Sequence, residues 1–333
     1  MLFFVFVYGL VYSISPVYPE LRSISGPLTV LYKHIQFFML LFCFVNIENL
    51  TGKSIVYYAK LMVYMLVFAS IITPIVYSHP PAIFKPDFLQ WGRMGIGYPT
   101  MDAQVFCTGI VILLYMLDFK KIKLNIILGI LVLGVLMQVT GTGLFTLFLL
   151  FCYFVFLDKK NKIITLAPLV IGLFFLVFFI ITSYSDDFSK ILWLASDKID
   201  NLMNYGQGQS TQIRHEQFLA LFNIIKSSVD FFVFGIGSNV YVENQYSFFF
   251  IAFGFVGLAC FVVFLLVMMF HGLKFASRDY GVFLLSTVIF SLASYSLVSF
   301  YLYSLYSSFA FMMACYIIKR NECLMKFNRD FAI

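Results

Sequence analysis

Charge is what this sequence has least of. Of its 333 residues, 22 are lysine or arginine and 16 aspartate or glutamate, 11% together, against 62% hydrophobic residues. A water-soluble domain of this length has no interior large enough to hide so much apolar surface, so the composition excludes one. Spans of about 20 apolar residues in lipid need no such hiding, and a polytopic membrane protein is the class that remains. Cysteine is also sparse. Of the six, Cys43, Cys107, Cys152, Cys260 and Cys315 lie in apolar runs and Cys323 in the C-terminal tail, without the spacing of a disulfide framework or a metal site. Repeats, Gly/Ser linkers and low-complexity tails are missing too, so residues 1–333 read as a single transmembrane domain. The formal net charge of +6 is no nucleic-acid footprint, because the basic residues sit in short loops between apolar runs. The first fifteen residues lack a basic start and a small-residue cleavage site, and read as an uncleaved first span.

What is present is a series of apolar runs, at roughly 1–15, 28–47, 55–77, 101–117, 124–139, 142–157, 163–183, 245–270, 281–299 and 301–318. The expected fold is therefore all-α, with about ten transmembrane helices. Assigning alternate loops to the two sides separates the basic residues. Lys53, Lys120, Lys121, Lys123, Lys159, Lys160, Lys162, Lys274, Arg278, Lys319, Arg320, Lys326 and Arg329 fall on one side; the short loops of the other hold Arg22, Lys85 and Arg93. The positive-inside rule makes the first side cytoplasmic, with both termini inside and the polar stretch 184–244 outside.

That large outer loop is the one long polar island and the expected place for chemistry. Within it, about 211–227 reads as an amphipathic helix, with Phe218, Leu221, Phe222 and Ile225 on one face, Ser210 or Thr211 as its cap, and the membrane surface as its partner. Arg214 lies one turn before Phe218, beside that apolar face. His215 is a candidate base or phosphate donor, although a plain polar helix face also explains it. Arg93 stands in a second outer loop, Gln-Trp-Gly-Arg-Met-Gly-Ile-Gly-Tyr-Pro-Thr (90–100). A planar guanidinium that never loses its proton suits phosphate, and the neighbouring glycines let backbone N–H groups approach the same anion. Glu243 opens an apolar run, where partial desolvation raises a carboxyl pKa towards working pH, as a general base requires. The competing reading is that Glu243 and Asn244 only mark a helix start. The adjacent carboxylates Asp186 and Asp187 share no helix or strand face, and no metal is expected. Lys33 and His34 are costly inside an apolar run and are weak pathway candidates. The Gly235-Ile-Gly237 stretch is a turn signal without the further glycines and lysine of a phosphate loop.

In order and placement these stretches resemble the O-antigen polymerase and O-antigen ligase superfamily of bacterial envelopes. Residues 93–100 look like its outer-loop arginine motif before a span, with Tyr98 among the residues that would contact substrate. Thr140-Gly-Thr-Gly143 is similar to its Thr-Gly-Ser-Arg-Gly turn without the arginine. Residues 214–218 followed by Phe234-Gly-Ile-Gly237 look like its large-loop arginine helix and glycine turn. Glu243-Asn244-Gln-Tyr and then Phe253-Gly-Phe-Val-Gly257 resemble its His-Asn pair and the glycine pattern that follows. Glutamate where the ligases carry histidine points to the polymerase (Wzy-type) branch.

The resemblance implies a GT-C-like, metal-independent, inverting glycosyltransferase without cofactor. It would act at the periplasmic face of the bacterial inner membrane on undecaprenyl-pyrophosphate-linked oligosaccharides. Its associates would be membrane lipid, a flippase and a chain-length regulator, with no nucleic acid. Arg93 and Arg214 would hold the pyrophosphate, Glu243 would accept the proton of the attacking hydroxyl, and His215, Asn244 and Tyr98 would contact substrate. The alternatives are an O-antigen ligase, which differs in acceptor, and a flippase or exporter of lipid-linked oligosaccharide. The flippase is less favoured because charge is concentrated in one outer loop and the halves do not match.

Overall fold

The computed structural model describes residues 46, 51–78, 99–117, 119–138, 140–156, 209–237, 242, 244–274, 288–289 and 291–292. Among the described residues the chain is all-α: seven helices and no strand. In chain order they are α1 (Ile55–Ser78), α2 (Pro99–Met116), α3 (Lys121–Met137), α4 (Gly141–Phe156), α5 (Gln209–Ile225), α6 (Val229–Phe234) and α7 (Gln245–Lys274). The chain divides into two compact units. One contains α1–α4, and the other contains α5–α7.

The α1–α4 body is a set of unbroken apolar helices joined where the sequence supplies polar or glycine residues. Thr140 starts α4 as its N-cap, since the Gly143 N–H donates to its hydroxyl (3.3 Å) and the Leu144 N–H to its carbonyl (3.0 Å). The four helices approach through small residues. A Cβ on Gly109 would meet Leu66 of α1 and Leu131 of α3, one on Gly134 would meet Ser70 of α1 and Phe106 of α2, and one on Gly143 would lie 2.6 Å from Ala103 of α2. These pairs advance along α1 and α3 together and run backwards along α2. So α1 and α3 are parallel to each other and α2 is antiparallel to both. The contacts Ala103 with Gly143 and Gln104 with Thr146 make α4 run with α2. The lysine-bearing starts of α1 and α3 consequently share one end, where the Lys123 ammonium donates to the Tyr64 hydroxyl (3.0 Å) and lies 4.9 Å from the Phe119 ring centroid. The Thr140 turn and the start of α2 share the other.

The interior of these helices is mostly apolar but encloses several polar side chains, and their outward faces carry large apolar ones. Ser70, Thr100, Gln104, Thr108, Gln138, Thr140 and Thr146 are buried, while Met65, Phe68, Phe145 and Phe148 stand outward, each more than half exposed. By length and composition, the stretch Gln245–Val267 of α7 is the one among the described residues long and apolar enough to cross a membrane; the apolar runs of α1–α4 are shorter. Of the expected spans outside these helices, 1–15, 163–183 and 301–318 lie outside the described residues, while 28–47 and 281–299 are described only at residue 46 and at 288–289 and 291–292.

A candidate substrate site on α5, α6 and α7

The helix expected at about 211–227 is α5, but it begins earlier, so that Ser210 and Thr211 fall inside its first turn instead of capping it. Its expected apolar face is real and is directed at protein. Leu221 and Ile225 are buried. Phe218 and Phe222 stack on each other (ring centroids 5.5 Å) and both lie against Phe250 of α7 (6.4 and 6.1 Å). Phe232 of α6 meets the same ring edge-on at 5.6 Å. Four aromatic rings thus tie three helices together. Helical spacing puts the Arg214 backbone on the face that bears Phe218, Leu221 and Ile225, whereas His215 and Glu216 lie on the exposed face.

The expected straight span from 245 is the main correction. Gly254 has φ +67° and ψ −165°, which no helix contains, and it divides α7 into α7a (245–253) and α7b (255–274). Phe249 and Phe261 are twelve residues apart, about 18 Å in a straight helix at 1.5 Å per residue. Their rings stack at 4.4 Å, and Tyr246 lies 5.3 Å from Phe261. The two arms therefore fold back on each other as a V with Gly254 at its apex. At such a break the last carbonyls of the first arm lose their helical partners, and buried carbonyls must find others. Gly235-Ile236-Gly237 supplies them: the Ile236 N–H donates to the Ile251 carbonyl and the Gly237 N–H to the Ala252 carbonyl, both at 3.0 Å. The approach is backbone on backbone. A side chain on Gly235 (φ +81°) would collide with the Ala252 carbonyl, and one on Gly254 with Val233 and Phe234.

At the start of α7a, Asn244 is the N-cap, its side-chain oxygen accepting the N–H groups of Tyr246 (2.9 Å) and Ser247 (3.2 Å). That oxygen is committed to the helix, which leaves the Asn244 amide as a donor. The Tyr246 hydroxyl pairs with the Ser291 hydroxyl (2.7 Å). Gln245, between them, is fully buried, and neither its amide nitrogen nor its amide oxygen has a hydrogen-bonding partner. A buried amide left so costs about 1–3 kcal/mol per orphaned group, so the position asks for an explanation.

Arg93, Tyr98 and Glu243 lie outside the described residues. Of the remaining expected site residues, Arg214 and Asn244 sit on elements of one body and His215 faces away from it. No group of three or more histidines, cysteines or carboxylates that could hold a metal occurs among the described residues.

A second polar group, in the α1–α4 body, was not anticipated. Thr100, Gln104 and Thr108 recur every fourth residue along α2, and α4 answers with Thr142 and Thr146. The Thr146 hydroxyl donates to the Thr142 carbonyl (2.7 Å), so it can only accept from Gln104, whose amide nitrogen lies 3.2 Å away. That settles which end of the Gln104 amide is which and leaves its oxygen unpartnered, as is the oxygen of Gln138. Glutamines inside apolar runs were a visible signal, and so was the period of four. Neither reveals burial without the neighbouring helix.

The chain matches no protein-family model, and no curated protein or solved structure is similar enough to it to count as a match.

Proposed function

We propose that this chain is a multi-pass membrane glycosyltransferase, a surface-polysaccharide polymerase of the Wzy type. It would transfer a growing glycan from undecaprenyl pyrophosphate to the next lipid-linked unit, by metal-independent inverting transfer at the outer face of a bacterial inner membrane. The membrane part of the reading is supported by the large apolar side chains that stand outward on α1 and α4, an arrangement favoured where the surroundings are hydrocarbon. The GT-C-like architecture of about ten spans, with both termini cytoplasmic, belongs to the same proposal.

One observation carries the enzymatic part. Three stretches of the family resemblance that are separated in sequence pack on one another: the arginine helix around 214–218, the glycine turn at 234–237, and the segment from Asn244 to Gly257. Segments that matter only for topology have no reason to converge. In the proposed mechanism Arg93 and Arg214 hold the pyrophosphate and stabilise the charge that develops on it as the glycosidic bond breaks. Glu243 takes the proton from the attacking sugar hydroxyl, and the Asn244 amide and Tyr98 orient the sugars. His215, on the exposed face of α5, is a secondary contact.

The test is a gel of surface polysaccharide from a deletion strain complemented with the wild-type chain, Arg214→Ala or Glu243→Ala. The wild type restores a ladder, and each variant leaves single units on an intact core. Normal ladders from both variants refute the site. A complete absence of lipid-linked units outside the membrane, in place of single units, points to the flippase class instead.

A further inference from the structure

We infer that α7a is a re-entrant half-helix that carries its polar start into the outer half of the apolar layer, where the Gln245 amide is a seat for carbohydrate hydroxyl groups; this rests on the membrane reading proposed above. The direction follows from the two arms. The longer arm, α7b, is about 30 Å long at 1.5 Å per residue, enough to cross a membrane alone, and ends at Lys274 on the lysine-rich side. Gly254 then stands at the outer boundary, and α7a descends from it beside α7b. Two contacts fix how far. Tyr246 and Phe249 lie against Phe261, six residues or about 9 Å down α7b. The Tyr246 hydroxyl also bonds to Ser291, which lies near the centre of the apolar run at roughly 281–299. A straight α7 entering at Tyr246 would leave that residue at the outer edge, level with neither partner.

The consequence concerns Gln245. A chain that must satisfy every polar group in hydrocarbon has here brought a glutamine to depth, enclosed it fully, and given neither end of its amide a partner. An amide offers one donor group and one acceptor side by side, and a sugar hydroxyl is both acceptor and donor. Nothing charged or metallic is called for, because the open groups are neutral. The seat is closed in this structure. It opens by rotation at Gly254, the single non-helical residue between the arms. The exposed side of α5 supports an aqueous approach from outside: His215, Glu216 and Asn223 are exposed, while Leu221, Phe222 and Ile225 pack against protein.

The experiment uses the full chain in its own membrane. Phe249→Cys and Phe261→Cys are introduced together and treated with a short bis-methanethiosulfonate reagent, with each single variant and the wild type as controls for the native cysteines. We expect an intramolecular link between positions 249 and 261, a loss of glycan chain extension of at least tenfold, and recovery on reduction. Failure to link overturns the fold-back, because the positions in a straight helix are about 18 Å apart. A link that leaves the ladder unchanged overturns the opening at Gly254. Gln245→Leu, close in size, keeps the link and the protein level and loses chain extension if the amide seats sugar; a normal ladder overturns that role. If the wild-type chain restores no ladder while positions 249 and 261 still link, the polymerase reading and the sugar seat fall, and the re-entrant geometry stands.

Discussion

The α1–α4 body is assembled from unbroken helices that touch through side chains, with Gly109, Gly134 and Gly143 where two helices come close. The α5–α7 body is held at its centre by main chain on main chain, across a helix that has been broken to allow it. In the first, each helix satisfies its own backbone, and packing sets only how the rods lie together. In the second, the break at Gly254 strands two carbonyls that a turn 15 residues or more upstream must satisfy. On the proposed function the difference separates scaffold from machinery: irregular backbone in an apolar protein is tolerated only where another part of the chain pairs with it, and such places concentrate at sites of binding and movement.

The largest effect that would break this comparison is Gly254→Ala. In an ordinary helix that change stabilises by about 1 kcal/mol. Here the new methyl would meet the backbone of Val233 and Phe234 at a positive φ, so a loss of about 3 kcal/mol or more is expected. Thermal unfolding in detergent reads the sign directly, and a stabilised Gly254→Ala protein means that α7 is straight. Gly143→Ala comes next. Its methyl meets the Ala103 Cβ and the Thr140 hydroxyl, so helices α2 and α4 must separate slightly, and about 1–3 kcal/mol should be lost in the same assay.

Asn244→Ala removes the cap of α7a and should cost about 1 kcal/mol, with Asn244→Asp retaining most of it. Gln104→Leu sharpens the contrast from the other side. It removes the hydrogen bond to Thr146 together with an unpartnered buried oxygen, so stability should change by less than about 1 kcal/mol. A glycan ladder that collapses at unchanged melting temperature would move the polar seam of α2 and α4 from scaffold to site. His215→Ala, on the exposed face of α5, should be the weakest, with a near-normal ladder and melting temperature.

Much of the framework was readable because its signals are local. Apolar runs placed α1–α4 within a few residues, and the spacing of Phe218, Leu221, Phe222 and Ile225 identified the buried face of α5. That Phe250 covers part of that face was not readable, because an amphipathic period says how wide a face is and nothing about what covers it. Gly235-Ile-Gly237 looked like a weak turn and proved to be the piece that completes a broken helix. No local pattern distinguishes a helix-packing glycine from one that ends a helix, and Gly254 sits in a run apolar enough to predict an unbroken span.

Composition and periodicity alone decided that the described part of this chain is helical and apolar outside its loops, since each property is a sum over neighbouring residues and the solvent. The tertiary structure decided which helix is broken, what pairs with the break, and which glutamines are enclosed without partners. Those are relations between distant segments, and they exist only when Phe249 meets Phe261 and Ile236 meets Ile251 in space.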